Sequence, residues 1–365
     1  MDVAALRAAF PVFASLAYLN AGTDGPVPSA ALEAVSRELE DELLTGRFKA
    51  HFERRGVLRD DLRSRYAGVL GAEAADVAIT SCTSEGIART LSGLTLRAGD
   101  LIVTSTDEHP GLLAPLGAAR RRYGVEISTV PWEQLPDAVE ERAVLVACSH
   151  VNWVDGRVVP AGLAERCAAL EVPLLLDGAQ GVGAVPTDVR ALGCSIYAGS
   201  GQKWLCGPDG SGMLWIDPAF RDAVAMPDPS YLSLADAHDP LNSELQPDGR
   251  RYDGPGISRE ATAFAVAAHD VLDAVGFDAV HVRARAQAER LANELEERGH
   301  EVAPRDATTL VSWKDPDAEG TRDRLAEQSI VIRDLPGRGL LRASIGAWND
   351  ESDLERLLEA LTPNA

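Results

Sequence analysis

Residues 143–180 read AVLVACSHVNWVDGRVVPAGLAERCAALEVPLLLDGAQ and contain an apolar run, a helical segment and a second apolar run. The two apolar runs, AVLVACS and VPLLLD, favour strands, and GLAERCAALE between them has helical spacing. Because a helical crossover usually joins parallel strands, this stretch predicts one strand–helix–strand unit. Asp177 ends the second run.

The same alternation extends on both sides of this unit. Helices are predicted for SAALEAVSRELEDELL (29–44), VLRDDLRSRYAGVLG (57–71) and GLLAPLGAARRRYG (111–124). The other predicted strands are DVAIT (76–80), DLIVTS (100–105), VEISTV (125–130), CSIYAGS (194–200) and GSGMLWI (210–216). Apolar strands that alternate with helices are typical of a mostly parallel sheet with both faces covered. The sequence therefore predicts an α/β fold.

The rest of the chain predicts a second, smaller domain. A chain of 365 residues suggests two domains at about 150 residues each. An irregular loop rich in Pro, Asp and Ser (226–255) is followed by two long helices, three strands and a final helix, which indicate an α+β domain. These strands are LVSWK (310–314), SIVIRD (329–334) and LLRASIG (340–346). We predict a large domain over residues 16–255 and a small domain formed by residues 1–15 and 256–365.

The composition excludes several classes of protein. It is 45% hydrophobic and 25% charged, as in ordinary globular proteins. No apolar run reaches the roughly 18 residues of a membrane span, and the first residues lack a secretory pattern. A net charge of −21 repels phosphate, so neither nucleic acid nor a membrane is an expected partner. Five cysteines without a CxxC pair favour reduced thiols in the cytoplasm.

Lysine is scarce, and one lysine has unusual surroundings. Only three of the 35 basic residues are lysines. Lys203 lies among glycines and apolar residues in SGQKWLCGPDG (200–210), whereas Lys49 and Lys314 lie in polar segments. Desolvation makes an amine lose its proton more readily, and a neutral amine can form a Schiff base with an aldehyde.

Asp177 lies at the end of a predicted strand, where ligands of open parallel sheets bind. A buried carboxylate there can keep a pyridine nitrogen protonated, which makes the ring an electron sink. Asp177 and Lys203 are therefore compatible with a site for pyridoxal 5'-phosphate (PLP). Considered singly, such an aspartate is also common as a turn or cap residue, and such a lysine as a solvated charge.

Five motifs in the same order resemble the class V aminotransferase family. The resemblance extends from YLNAGTDGPVP (18–28) to LLRASIGAWND (340–350). The family includes cysteine desulfurases, isopenicillin N epimerase-like proteins and cysteine or cystine C–S lyases. The resemblance implies a fold-type-I PLP-dependent transferase, with a large domain built on a mostly parallel mixed sheet flanked by helices and a small α+β C-terminal domain. It also implies PLP as the cofactor and a homodimer.

The resemblance assigns a role to each residue that matches a family motif. Lys203 would hold PLP as a Schiff base, Asp177 would pair with the pyridinium nitrogen, and Gln180 would donate to the phenolic oxygen. His109 in DEHPG (107–111) would lie flat on the ring. The residues expected at the phosphate are Thr83, Ser84, Ser200 and Gln202.

Four residues are expected to bind the substrate. Arg342 matches the arginine that binds the α-carboxylate, and a guanidinium can do so through two parallel hydrogen bonds. Arg333 is a second candidate. Asn20 lies where the family's amino-terminal segment enters the site, and Trp153 resembles the lyase and epimerase-like branch. No residue is assigned to a metal.

The segment before Arg342 bears on the reaction. Desulfurases carry a nucleophilic cysteine there, but residues 333–342 read RDLPGRGLLR. We therefore predict α,β-elimination from cysteine, cystine or a cysteine conjugate, through an aldimine and a quinonoid, with Lys203 as the base. Aminotransfer and epimerisation begin with the same proton removal and stay open. A desulfurase and a non-catalytic protein of this fold are further alternatives.

Overall fold

The computed structural model describes residues 2–254, 256 and 258–361; the other residues within the predicted domain boundaries lie outside this description. The helices are α1 (Val3–Ala8), α2 (Ser29–Thr45), α3 (Lys49–Leu70), α4 (Thr83–Gly93), α5 (Pro110–Tyr123), α6 (Leu163–Ala169), α7 (Arg259–Asp273), α8 (Phe277–Glu297), α9 (Ala318–Glu327) and α10 (Glu351–Leu361). The strands are β1 (Ala17–Tyr18), β2 (Val77–Thr80), β3 (Leu101–Ser105), β4 (Glu126–Val130), β5 (Ala143–Ser149), β6 (Leu174–Asp177), β7 (Ile196–Ser200), β8 (Gly212–Ile216), β9 (Leu310–Lys314), β10 (Ile330–Val331), β11 (Arg333–Leu335) and β12 (Leu340–Ser344). The predicted α/β alternation is confirmed.

Seven strands form the central sheet in the order β2-β8-β7-β6-β5-β3-β4. The five neighbouring strands β7, β6, β5, β3 and β4 pair in parallel. Strand β8 pairs antiparallel with both β7 and β2. The mostly parallel mixed sheet of the predicted fold is therefore confirmed. Its parallel part brings the carboxyl ends of β3, β5, β6 and β7 to one edge, where ligands bind in such sheets.

Helices cover both faces of this sheet. Leu62 of α3 belongs to the apolar cluster on one face, and Ile87 of α4 belongs to the cluster on the other. Val103 and Ile102 of β3 divide between the same two clusters, because successive strand residues point to opposite faces. Burial on both faces explains why these strands are apolar almost throughout.

Two smaller sheets contain the strands of the carboxyl-terminal part of the chain. β11, β12 and β9 form an antiparallel sheet, and β1 pairs in parallel with β10. The prediction of one strand over residues 329–334 was wrong. Ile330–Val331 pairs with Ala17–Tyr18, whereas Arg333–Leu335 pairs with β12. The segment divides at Ile332 because its two halves have partners in different sheets.

The first residues of the chain pack against the last ones. Arg7 pairs with Asp353 at 2.7 Å, and the rings of Phe10 and Trp348 lie 5.2 Å apart. Leu19 accepts a hydrogen bond from a β12 amide. The domain boundaries at residues 15/16 and 255/256 stay predictions.

Helices α2 and α3 present apolar side chains to solvent. Leu43 and Leu44 are 83% and 84% exposed, and Phe48 and Phe52 are also exposed. We call the exposed apolar side chains of residues 32–57 the apolar strip: Leu32, Leu39, Leu43, Leu44, Phe48, Phe52 and Val57. A large exposed apolar patch typically marks an interaction surface. No helix in the described part of the chain is long and apolar enough to cross a membrane.

Candidate active site

The predicted site residues come from distant segments that meet at the carboxyl ends of the parallel strands. Asp177 is the last residue of β6, and Lys203 follows β7 in a loop. His109 precedes α5, which follows β3. The β11–β12 hairpin reaches the same edge, since Arg342 Nη1 donates to the carbonyl of Trp153 at 2.6 Å.

The amine of Lys203 is enclosed among charged groups. Its pKa is lowered to about 8: burial is the largest cause, Arg342 and Arg333 act in the same direction, and Asp177 and Asp24 oppose them. A larger fraction of this amine is therefore uncharged near neutral pH than for an ordinary lysine. The structure thus places an amine that can act as a nucleophile or a base beside a buried carboxylate.

Asp177 and Gln180 lie on the floor of the site. Asp177 is buried and accepts the Ala179 N–H at 2.9 Å. Burial raises its pKa, while that N–H and the lysine counteract. Gln180 Nε2 donates to the carbonyl of Gly22 at 2.7 Å, and its Oε1 accepts the Trp204 indole N–H at 3.0 Å. One amide hydrogen of Gln180 remains for another acceptor.

His109 is fixed at the start of α5. Its Nδ1 accepts the Gly111 N–H at 3.0 Å, and its ring packs edge-on against Trp153 at 5.0 Å. Burial and the nearby cations lower its pKa to about 4, so the ring is neutral at neutral pH. A Cβ on Gly111 would lie 2.7 Å from Ser84 Oγ and 3.0 Å from the histidine Nδ1. Glycine at this position therefore lets two predicted site residues approach each other.

The amino terminus of α4 offers an anion site. Thr83 Oγ1 and Ser200 Oγ share a hydrogen bond at 2.7 Å. Cys82, at the N-cap, gives no side-chain cap, so the first amides of α4 are available to an anion. Gln202 Oε1 is buried without a partner among the described residues.

Arg342 is buried with half of its guanidinium unsatisfied. It is 1% exposed, and its Nε and Nη2 lack a hydrogen-bond partner within the described chain. Burial, together with Arg333, lowers its pKa to about 9. A buried guanidinium edge that lacks an acceptor fits a carboxylate bound through two hydrogen bonds.

Arg333 and Asn20 meet at Thr23. Arg333 Nη1 donates to Thr23 Oγ1 at 3.3 Å, and Thr23 Oγ1 donates to Asn20 Oδ1 at 2.8 Å. The backbone of Asn20 bridges to Ser344. The side chain of Asn20 thus shapes the turn beside the site, and its contact with substrate stays a prediction.

Sequence reasoning missed three residues near the site. These are Asp24, Glu108 and Trp204. Glu108 is 2% exposed and accepts from Ser105 Oγ at 2.8 Å and from Ser149 Oγ at 2.5 Å. Burial raises its pKa to about 7. Its place directly before His109 was the available signal.

The unsatisfied groups of the site fit PLP. The uncapped start of α4 suits the phosphate, Asp177 suits a pyridinium nitrogen, and Lys203 suits the aldehyde carbon. The free edge of Arg342 remains for a carboxylate of a second molecule.

A family model described as Aminotransferase class-V matches residues 18–357. The chain belongs to the class V aminotransferase family. Isopenicillin N epimerase of Streptomyces clavuligerus is 28% identical over 386 residues, which cover 94% of this class V chain and 93% of the relative. Cysteine desulfurase of Escherichia coli (strain K12 / DH10B) is 31% identical over 245 residues, which cover 59% and 58% of the two chains.

Solved structures give the same family fold. The complex of the cystine C–S lyase C-DES with its reaction product, cysteine persulfide, has a TM-score of 0.91 and 26% identity, covering 96% of this chain and 98% of that chain. A mutant of C-DES with glycine covalently linked to the PLP cofactor also has a TM-score of 0.91, with 25% identity and coverage of 97% and 98%. The class V protein is therefore a PLP-dependent enzyme of fold type I, as predicted. The roles of its individual residues stay predictions.

Proposed function

We propose that this enzyme uses PLP to cleave the C–S bond of cysteine, cystine or a cysteine conjugate by α,β-elimination. The observation that carries the proposal is the β11–β12 hairpin, which has no thiol between Arg333 and Arg342. A desulfurase needs a cysteine on this segment to attack the substrate sulfur. In elimination the substrate's own sulfur leaves, so no protein thiol is required. The similar structure of C-DES belongs to a cystine C–S lyase.

Four of the five cysteines are buried and offer no replacement nucleophile. Cys82 is partly buried and lies at the N-cap of α4, the end assigned to the phosphate rather than to the substrate. Cys206 lies close to Lys203 in sequence, but burial raises its pKa well above the ordinary value. The thiolate is the nucleophilic form, so a buried and protonated thiol is unreactive.

Lys203 and Asp177 form the reacting pair in this proposal. Lys203 would hold PLP covalently, and its Nζ would take the α-proton of the substrate. Its lowered pKa of about 8 leaves an appreciable fraction of free amine for this step. Asp177 keeps the ring nitrogen protonated, because a buried carboxylate favours a cation beside it. When bound, PLP supplies an electron sink for the α-carbon.

The other cofactor contacts are assigned to the residues expected at the ring and at the phosphate. His109 packs on the ring as a neutral imidazole, and the remaining amide hydrogen of Gln180 donates to the phenolic oxygen. The phosphate is assigned to the amides of α4 and to Thr83, Ser84, Ser200 and Gln202. This set encloses the phosphate end without an arginine or a lysine side chain, so helix amides and neutral donors carry that contact.

The substrate α-carboxylate is assigned to the free edge of Arg342. Two hydrogen bonds to a planar guanidinium restrict rotation of the amino acid, which holds the α-hydrogen in one direction. Arg333 is the second cation assigned to the substrate, and Trp153 and Asn20 are its other expected contacts.

Epimerisation is the second candidate function, because isopenicillin N epimerase aligns over 94% of this chain. It requires a group that returns a proton to the opposite face of the α-carbon. The pKa of His109 is lowered to about 4, so this histidine holds no extra proton at neutral pH. We therefore place epimerisation behind elimination.

The test is a screen of amino acids that quantifies every product of the same reaction. For a C–S lyase we expect pyruvate and ammonia in equal amounts, together with a thiol, sulfide or persulfide. Alanine would instead identify a desulfurase, and a D-amino acid without pyruvate would identify an epimerase. Transfer of the amino group to an added 2-oxo acid, without free ammonia, would identify an aminotransferase.

We also propose a cytoplasmic homodimer. The apolar strip supports the dimer, because a second copy can cover side chains that one chain leaves in water. The five free cysteines support the cytoplasm, where thiols stay reduced.

A further inference from the structure

The turn of the β11–β12 hairpin reaches the segment that follows β3. Gly337 and Gly339 have φ values of 73° and 62°, which give the turn its sharp, left-handed course. Between them lies Arg338, whose Nη1 donates to Asp107 Oδ1 at 2.8 Å. Its guanidinium carbon lies 5.5 Å from the centre of the Trp153 ring. The turn of the hairpin therefore carries a cation, Arg338, that already contacts Asp107 and Trp153.

Trp153 is held from three directions. The Trp153 indole N–H donates to the carbonyl of Asp107 at 2.9 Å. The Arg342 guanidinium donates to the carbonyl of Trp153 at 2.6 Å. Arg338 covers its ring as a cation. The same ring packs edge-on against His109 at 5.0 Å and 88°. A continuous set of contacts thus runs from Arg338 through Trp153 to His109.

The pair of Arg338 and Asp107 is suited to positioning more than to stability. Both side chains are 30% exposed, and partly exposed ion pairs contribute little to folding. Salt screens such pairs, so their geometric effect depends on ionic strength. Arg338 also differs from Arg342, which keeps a free edge for a ligand.

We propose that Arg338 is a positioning residue: with Asp107 it fixes Trp153, and through Trp153 it fixes His109. The inference rests on the proposed function, which places Trp153 beside the substrate and His109 on the cofactor ring. Loss of the pair loosens the substrate wall and the ring contact, but it removes no group that exchanges a proton with the substrate.

The test compares the holoenzyme with its Arg338→Met variant, which keeps a long apolar side chain without the charge. We expect KM to rise about ten-fold while kcat stays within about three-fold. The visible circular dichroism of the bound cofactor should decrease, because the ring is held less firmly in one orientation. About 1 M salt should also raise the KM of the wild type, because it screens the ion pair, and it should change the KM of the variant less.

Four further variants sharpen the comparison. Asp107→Asn should resemble Arg338→Met, and the double variant should be no worse than either, because each substitution breaks the same pair. Arg338→Lys should restore part of the effect. Arg65→Met is the matched control, since it breaks the Arg65–Asp270 pair between α3 and α7 and should change neither KM nor the dichroism.

Wild-type KM and dichroism in a folded Arg338→Met enzyme would overturn the proposal. A loss of kcat alone would overturn it as well, since that result describes a catalytic group. The dichroism is read without substrate, so a reduced signal in an enzyme that releases no thiol would support Arg338 and contradict only the proposed function. If Arg338→Met fails to fold, Arg338→Lys and Asp107→Asn provide the same comparison.

Discussion

The surroundings of Lys203 separate it from the other two lysines. Lys49 and Lys314 are exposed and lie near Glu53 and Glu301, respectively. We expect Lys203→Ala to fold but to lose covalent attachment of PLP, whereas Lys314→Ala keeps it. Borohydride reduction followed by peptide mass spectrometry locates the attachment. A label on Lys49 or Lys314 in the wild type would contradict the assignment.

Asp177 is expected to matter for chemistry more than for cofactor retention. An amide holds a ring proton less well than a carboxylate, so Asp177→Asn should keep PLP bound and slow α-proton removal at least about 100-fold, or about 3 kcal/mol. Exchange of the substrate α-hydrogen in heavy water measures this step directly. Asp217→Asn is a matched control, because Asp217 follows β8 and accepts the amide of Ala219 much as Asp177 accepts that of Ala179. Equal exchange rates in the two variants would refute the role.

Glu108 makes stability depend on pH. Burial raises its pKa from 4.5 to about 7, so the folded state favours the protonated carboxyl. Its contribution to stability is complete below pH 4.5 and is lost as the pH rises through about 7. In cofactor-free protein, Glu108→Gln should therefore gain stability relative to the wild type by up to about 3 kcal/mol between pH 5 and 8. Urea unfolding at several pH values measures the difference, and a constant difference would refute it.

At the scale of elements, the β11–β12 hairpin contains no cysteine, so the proposed elimination proceeds without a protein thiol. Cys206→Ser is the critical substitution because Cys206 lies near Lys203 in the chain. We expect the same products with little loss of kcat, since the buried thiol acts as a small apolar group. Product analysis after turnover of cysteine measures this. Loss of sulfur release with PLP still bound, or a persulfide on any cysteine, would favour a desulfurase.

The sequence predicted those helices and strands whose own apolar residues follow a regular spacing. α2 and α10 show apolar spacing, and strands β2 to β8 are apolar runs between turn residues, apart from the edge strand β4. The start of α3 at Lys49 was missed, and the predicted helix began at residue 57, because the preceding turns are polar and lack that spacing. The division of residues 329–334 could not be predicted, since it depends on a partner strand at the other end of the chain.

The candidate site shows the same contrast between residues predicted from the local sequence and contacts that depend on distant parts of the chain. Residue type and strand end identified Asp177, and unusual neighbours identified Lys203. The motif resemblance supplied His109. The contacts of Glu108 and Arg338 could not be predicted, because each depends on residues that only the folded chain brings near.

At the scale of the whole molecule, the apolar strip sets the expected assembly. We expect the double variant Leu43→Glu and Leu44→Glu to be monomeric, because each charge would have to be buried in the dimer interface. Light scattering on a sizing column measures the mass. Leu241→Glu is the control, since Leu241 is also exposed but lies outside the strip. A wild-type monomer that is active at the same concentration would contradict the dimer.

The pairing of Ala17–Tyr18 with Ile330–Val331 also orders events during synthesis. The last strand of the central sheet along the chain is β8, so Asp177 and Lys203 can reach their places before residues 217–365 have folded. The first strand has no partner until the end of the chain emerges, and Arg342 arrives with it. A nascent chain therefore completes the residues proposed to hold PLP before it completes those proposed to hold the amino acid.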